Sequence, residues 1–559
     1  MRTDSGLEKR LIVTLDARPG QEVRLDWLTA IATQAVTNYD KRLIRPSFFS
    51  LSTGRGPGRR NLARFHKDAA AAQMIRTKHI YHTGMQRLLC NALFPSAILC
   101  ALCGKSLFND SRRLRLVAIA LASVPFTHFA AVCQAEPTTE EVIAEMRPYQ
   151  GPKDAVVDRS TLTGKVMCGY QGWFATPYDG SDQGWKHYAA QHDFRPGHCK
   201  IDLWPDVSEL DHDEKFATPF QHSDGRTAYV FSSHNPKTVA RHFRWMQEYG
   251  IDGVFVQRFA VATRSPLDLR HCNTVLTNCR DGANEFGRCY AVMYDLSGLR
   301  AGGIEQVIAD WKLLVDRMRL GRDPADHAYL QHLGKPVVAV WGIGFNDDRK
   351  YTLEECDRLI EFLKNDPVYG GFTVMVGVPT YWRELDHDTL NDPALHAIIR
   401  KADIVSPWTV GRYRTPTEAA RHARLVLRPD IAWCQENGKE YLPVVFPGFS
   451  WKNMVPSATA NAIPRLKGEF LWRQFVEAKE AGATMIYEAM FDEIDEGTAI
   501  FKCTNDPPVS ESKFVTYEGL PSDHYLWLSG KGGELLRGPS DAPRELPERK
   551  ATSQVGEAP

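Results

Sequence analysis

Four carboxylates crowd into the segment Phe491-Asp492-Glu493-Ile494-Asp495-Glu496-Gly497-Thr498. Glu493 and Glu496, three residues apart, are the pair with the right chemistry for proton transfer. Carboxylates forced together in a partly dry cleft take divergent pKa values, so that one ionises while its neighbour keeps a proton near neutrality, and acid–base catalysis needs that division. The same residues also fit an acidic turn whose charges are solvated or stabilise the N-terminus of a following helix. A second group of residues has the types that recognise sugars: Tyr170, Trp173, Trp341, Tyr381, Trp382, Trp408 and Trp451, with Gln257, Arg258, Asp295 and Asp492. Aromatic faces stack on the apolar faces of sugar rings, while amides, carboxylates and Arg read hydroxyls, so these residues are expected to contact substrate.

These residues share a position in the pattern, because nearly all follow a short apolar run that reads as a strand. From Lys165 onward such runs alternate with amphipathic helices, as in repeated βα units around a parallel sheet. The eight runs are Val166–Tyr170, Ile251–Val256, Cys289–Tyr294, Pro336–Trp341, Phe372–Gly377, Ala402–Ser406, Leu442–Phe446 and Thr484–Glu488. The clearest unit spans Asn235 to Phe259. Asn235 is a good N-cap, Pro236 suits the first turn, Val239, Phe243 and Met246 share a face, and Gly250 ends the helix. Eight strands with crossover helices predict an α/β fold, a (β/α)8 TIM barrel with its active site at the C-terminal ends of the strands.

The segment Phe491 to Thr498 resembles the Phe-Asn-Glu-Trp-x-Glu-Gly-Thr motif of glycoside hydrolase family 99, the endo-α-mannosidase and endo-α-mannanase family within the wider family 71/99-like group. Gly169-Tyr170-Gln171-Gly172-Trp173-Phe174, Tyr249-Gly250-Ile251-Asp252-Gly253 and Phe446-Pro447-Gly448-Phe449 add to the likeness, which spans about residues 160–505. The resemblance implies a retaining hydrolase without an enzyme nucleophile. Glu493 would deprotonate the sugar's 2-hydroxyl, which attacks the anomeric carbon, and Glu496 would protonate the leaving oxygen and later act as base. Two positions depart from the motif: Asp492 stands where it has Asn, and Ile494 where it has Trp. An inert glycan-binding barrel and a polysaccharide lyase are the competing function classes.

Composition agrees with a large soluble core, at 559 residues, 43% hydrophobic and 24% charged. The net charge of zero hides an asymmetry. Residues 1–135 carry 20 Lys and Arg against 8 Asp and Glu, and the remainder 48 against 60. An acidic body repels phosphate backbones, which excludes nucleic acid as the main partner and favours a neutral glycan. No His-Glu-x-x-His pattern, Gly-x-Ser-x-Gly elbow or phosphate loop is present in the barrel, so metal, serine and nucleotide chemistry have no motif, and no cofactor or metal is expected. The acidic stretch Asp202, Asp206, Asp211, Asp213 and Glu214 lacks EF-hand spacing and reads as a solvated loop before a calcium site.

The basic N-terminal part contains Arg112, Arg113 and Arg115, then the mostly apolar run Leu116 to Val132, then Cys133-Gln134-Ala135 before Glu136. That is the order of a secretory signal peptide, so the mature protein is expected to begin near Glu136, without a stable membrane span and in a secreted or periplasmic location. Residues 1–84 are then expected to lie upstream of the real start, with 85–135 as the signal region and the peptide itself at about 112–135. Cys272, Cys279 and Cys289 match no zinc template and are expected to include a loop disulfide. The remaining organisation is expected to be a barrel over 150–510, a C-terminal packing segment over 511–537 and a flexible tail over 538–559.

Overall fold

A computed structural model of the protein describes residues 136–153, 155–190, 193–539 and 544–549. The expected signal region and residues 1–84 lie outside the described residues. In chain order the strands are β1 (Val166–Tyr170), a hairpin of β2 (Phe216–Gln221) and β3 (Thr227–Val230), β4 (Gly253–Phe259), β5 (Cys289–Asp295) and β6 (Gln331–His332). They continue with β7 (Lys335–Trp341), β8 (Thr373–Pro379), β9 (Ile404–Trp408), β10 (Glu440–Tyr441), β11 (Val444–Val445) and β12 (Ile486–Glu488). The main sheet runs β10-β9-β8-β7-β5-β4-β1-β12-β11, with parallel neighbours along that path and β6 attached antiparallel to β7.

The two ends of this sheet belong to one piece of chain. Glu440 and Leu442 donate backbone N–H groups to Asp403 and Val405 on the β9 side, at 3.0 and 2.9 Å. Pro443 and Val445 accept from Tyr487 and Ala489 on the β12 side, both at 2.9 Å. The sheet therefore curls until its ends meet in residues 440–445, which is compatible with a TIM-like barrel. The expected strands all fall on it.

Alternation along each strand sorts the side chains onto two faces. Met167, Phe255, Ala291, Met293, Ala339, Met375, Ile404 and Tyr487 pack together on the concave face. Cys168, Tyr170, Val254, Val256, Val292, Tyr294, Val338, Val340 and Val376 pack outward in the larger core beneath the helices. Burying both faces is why these strands read as near-continuous apolar runs. At Gly377 on the inner face, a Cβ would lie 2.4 Å from Trp341 Cδ1, so only glycine leaves room for that indole.

The helix Pro236–Tyr249 shows how local chemistry sets the units. Asn235 Oδ1 accepts from the Lys237 and Thr238 amides at 2.9 and 3.3 Å, and Gly250 closes the helix at φ 77°, turning the chain into β4. The same logic starts the helix Leu353–Asn365, where Thr352 and Glu355 form a capping box.

Two expectations need correction. The eight described cysteines are free thiols, so the expected loop disulfide is not formed. Cys272 and Cys279 lie two turns apart on the helix Pro266–Phe286, a rise of about 10 Å that no disulfide spans, and Cys289 opens β5. Residues 544–549, expected in the flexible tail, lie against the body. Trp472 Nε1 donates to the Arg544 carbonyl at 2.9 Å, and Arg549 holds Asp523 through two bonds of 2.6 and 2.8 Å. Among the described residues no helix is long and apolar enough to cross a membrane.

Candidate active site

The carboxylate-rich segment leaves the C-terminal end of β12 and folds into a tight turn. Phe491 N–H donates to the Gly169 carbonyl on β1 at 2.8 Å, and Ile494 O accepts from Asp202 and Leu203 at 2.9 and 3.1 Å. Ile494 is thus a buried anchor for the loop around Asp202. The Thr498 and Ala499 amides return to the Glu493 carbonyl at 3.1 and 3.0 Å. Gly497 sits at φ 65° with the Ser450 backbone packed where its Cβ would be, and Ser450 N–H donates to the Glu496 carbonyl at 2.9 Å. Every part of the motif therefore has a geometric task.

That turn brings the Thr498 hydroxyl to Glu493 Oε2 at 2.5 Å, while Gln171 Nε2 donates to Glu493 Oε1. Glu493 is 3% exposed. Burial first, then the charges of Glu496 and Asp495, push its carboxyl well above the usual range, and the two donors pull it back. Glu496 is half-buried, and burial followed by the charge of Asp495 pushes it up to about 7; no hydrogen bond opposes the shift. Asp495 also rises to about 7, chiefly through burial, and accepts from or donates to His187 Nδ1 at 3.2 Å. The cluster thus holds protons near neutrality and divides into a carboxyl gripped by donors and one left free.

Asp492 is fully buried. Its two oxygens accept the Gln171 and Gly172 amides at 2.7 and 2.9 Å, and burial lifts it to about 7. It fixes the loop after β1 that carries Gln171 and is out of reach of a substrate, which corrects its expected role as a contact. Asp202 is similarly committed, accepting from the Ser450 hydroxyl and the Lys452 and Asn453 amides. Asp211, Asp213 and Glu214 come within reach of one another; the first two are exposed and paired to Lys237, but Glu214 is buried and paired to Arg241, so the expected solvated loop does not extend to it.

Strand alternation decides the fate of the other expected contacts. Gln257 and Asp295 follow inward positions on β4 and β5, and Trp341 and Trp408 join the inner cluster, with their rings edge to face at 5.5 Å. Tyr170 and Arg258 point the other way. The Tyr170 hydroxyl bonds His242 Nδ1 at 2.9 Å, and Arg258 makes two 2.6 Å bonds to Asp310 on the helix Ile304–Met318. Trp382 is fully buried with its Nε1 on Asp430 at 3.0 Å. These three are packing residues. The Tyr381 ring is tilted 52° against His387 at 4.4 Å, and Trp451 is 36% exposed against Phe449, both on loops.

Beside Glu493 a cavity of about 260 Å³ is lined by Gln171, Trp173, His187, Gln257, Phe259 and His271, among others. Trp173 stands between His187 at 3.9 Å and Phe259 at 5.0 Å, both stacked on it. His187, His271 and Thr498 were not singled out by the sequence. His187 lies in a loop at φ 61°, and His271 sits in the helix Pro266–Phe286 with its Nε2 on the Gly172 carbonyl, so neither carries a periodic signal.

No family model and no curated protein matches the chain. Among solved structures, a GH99 endo-alpha-mannosidase from Bacteroides thetaiotaomicron in complex with BIS-TRIS-propane has a TM-score of 0.50 at 16% identity, covering 67% of this chain and 98% of that one. Another structure of a GH99 endo-alpha-mannosidase from Bacteroides thetaiotaomicron gives 0.48 at 18% identity over the same shares. A glycoside hydrolase-like protein gives 0.42 at 13% identity, over 69% and 97%. The chain has a glycoside hydrolase-like fold.

Proposed function

We propose that this protein is a secreted or periplasmic glycoside hydrolase that cleaves a polysaccharide or oligosaccharide at the mouth of a (β/α)8 barrel. The observation that carries the proposal is the contrast between its two glutamates. Glu493 is held in place by the Gln171 amide and the Thr498 hydroxyl while burial pushes its carboxyl well above the usual range, whereas Glu496 has no donor and is raised to about 7. The pair holds protons near neutrality, with one carboxyl fixed by donors and the other free to exchange its proton three residues away.

In the mechanism that the family 99 resemblance implies, Glu493 takes the proton of the sugar's 2-hydroxyl and that oxygen bonds to the anomeric carbon. The bond from the anomeric carbon to the leaving oxygen breaks as Glu496 delivers its proton there. Water, deprotonated by Glu496, then opens the internal ring while Glu493 returns its proton to the 2-oxygen, so configuration is retained. Asp492 serves this chemistry by holding the Gln171 backbone. Gln257, Asp295, Trp341 and Trp408 on the inner face, and Trp173, Tyr381 and Trp451 on the loops, are the substrate contacts. Export rests on the signal-like order of residues 112–135.

Incubating the protein with a glycan panel and analysing released products tests the proposal. New reducing ends with retained anomeric configuration support it. Binding without product favours the inert glycan-binding barrel, and products with a new unsaturated bond favour the lyase.

A further inference from the structure

The carboxylate turn is held from outside by one stretch of chain, the loop that follows β11. Ser450 N–H donates to the Glu496 carbonyl at 2.9 Å. Further along the same loop, Arg465 Nη2 donates to the Gly497 carbonyl at 2.8 Å and to the Ala499 carbonyl at 2.7 Å. Thr498 therefore lies between the two carbonyls that one guanidinium holds.

Packing alone does not account for Arg465. It is 3% exposed, and its guanidinium lies over the rings of Tyr517 and Tyr525 at 4.9 and 4.5 Å. Glu488 feels its charge but bonds the Ser529 hydroxyl at 2.7 Å instead. A buried cation outside an ion pair carries a desolvation penalty that an apolar side chain of the same size avoids. The fold nevertheless makes room for it. A Cβ on Gly448 would lie 2.7 Å from Arg465 Cγ, and Phe449 and Ile463 exchange two backbone bonds of 3.0 Å that fix the approach of its stem.

What the guanidinium reaches is the part of the turn that sets both glutamates. The Thr498 hydroxyl grips Glu493 Oε2 at 2.5 Å, and the Thr498 and Ala499 amides return to the Glu493 carbonyl. Gly497 follows Glu496 directly and has the left-handed φ of 65°, in a residue whose backbone is otherwise free to swing. The raised carboxyls of Glu493 and Glu496 answer to burial and acidic neighbours, not to Arg465, so its influence is one of geometry. It does not line the cavity beside Glu493.

We infer that Arg465 is a positioning residue for the carboxylate pair: it locks the backbone from Gly497 to Ala499 and so keeps the Thr498 hydroxyl on Glu493 and Glu496 in place beside it. The inference rests on the hydrolase reading in taking Glu493 and Glu496 as the reacting pair.

Kinetics and amide hydrogen exchange of two variants test it. Arg465→Lys keeps the charge on a shorter, flexible stem, and Arg465→Gln removes the charge while keeping a donor, so a folding defect in one leaves the other to decide. Each is expected to lower kcat on a cleaved glycan about 10–100-fold with KM within about twofold of the parent, because a misplacement of about 1 Å costs on the order of 10²-fold. Thr498→Val should lower kcat by itself. Adding it to either Arg465 variant should cost little more, since both act on Glu493 through one bond, whereas a merely structural arginine would multiply the losses. Exchange in the peptide 491–501 should quicken about tenfold in the Arg465 variants, with exchange elsewhere unchanged. Parental kcat and exchange, a change in KM alone, multiplied losses in the double variant, or failure of both Arg465 variants to fold overturns the inference. If the parent cleaves no glycan, the hydrolase reading falls, and the exchange measurement alone decides whether Arg465 holds the turn.

Discussion

Replacing each glutamate by glutamine separates their roles. Glu496→Gln keeps the shape of the side chain and removes an exchangeable proton, and loss of a general acid typically costs about 10²–10⁴-fold. With the Glu496 carboxyl at about 7, about half the molecules carry its proton at pH 7 and about a tenth at pH 8, so the parent's kcat should fall about tenfold per pH unit on the alkaline side. The variant should lose that limb along with its activity. An aryl glycoside whose leaving group needs no protonation should rescue Glu496→Gln in part. The same substrate should not rescue Glu493→Gln, because in the proposed mechanism Glu493 creates the internal nucleophile whatever the leaving group. Folding should survive in both variants. At Glu493 the amide oxygen can still accept from Gln171 or Thr498, and an amide cannot ionise beside Glu496 and Asp495, which offsets the lost contact. Steady-state kinetics from pH 5 to 9 with natural and activated substrates, alongside thermal melts, makes the comparison. Parental cleavage of natural glycans by both variants refutes the reasoning, and rescue of Glu493→Gln in place of Glu496→Gln reverses the roles.

Asp495→Asn should move the alkaline limb to lower pH, since the charge of Asp495 helps to raise Glu496; a pH–rate profile reads the shift. Burial lifts Glu488 to about 8, so its ionisation penalises the folded state: the penalty is absent below the unfolded value near 4.5 and grows as pH rises towards 8, up to about 5 kcal/mol. Glu488→Gln keeps an acceptor for the Ser529 hydroxyl at 2.7 Å, and should raise Tm at pH 8 more than at pH 5 in a melt series. Gly377→Ala places a methyl group against Trp341 and should cost about 1–3 kcal/mol in denaturant unfolding, with a changed tryptophan fluorescence spectrum. N-terminal sequencing of native protein should find a start near Glu136; a mature N-terminus within residues 1–84 would remove the export proposal.

The sequence by itself determined the strands, the helix boundaries and the acidic segment, because these depend on local chemistry. Runs such as Val254-Phe255-Val256 are apolar throughout since both their faces are buried, and Asn235, Pro236 and Gly250 mark their helix through backbone bonds within a few residues. Glu493 and Glu496 were legible because the turn that holds them is local, from Gly497 at positive φ to Thr498 on the Glu493 carboxyl. What each residue faces was decided only by the tertiary structure. Gln257 and Arg258 are neighbours in sequence, yet one lines the cavity and the other pairs with Asp310, because consecutive side chains on a strand take opposite faces and only sheet closure says which face is inside. His187 and His271 come from a loop and a helix with no chemical signature, and they become part of the site because β1 and β4 are adjacent staves. The buried bonds that fix Asp492 and Gln171, across a sequence separation of 321 residues, exist only once β12 lies beside β1.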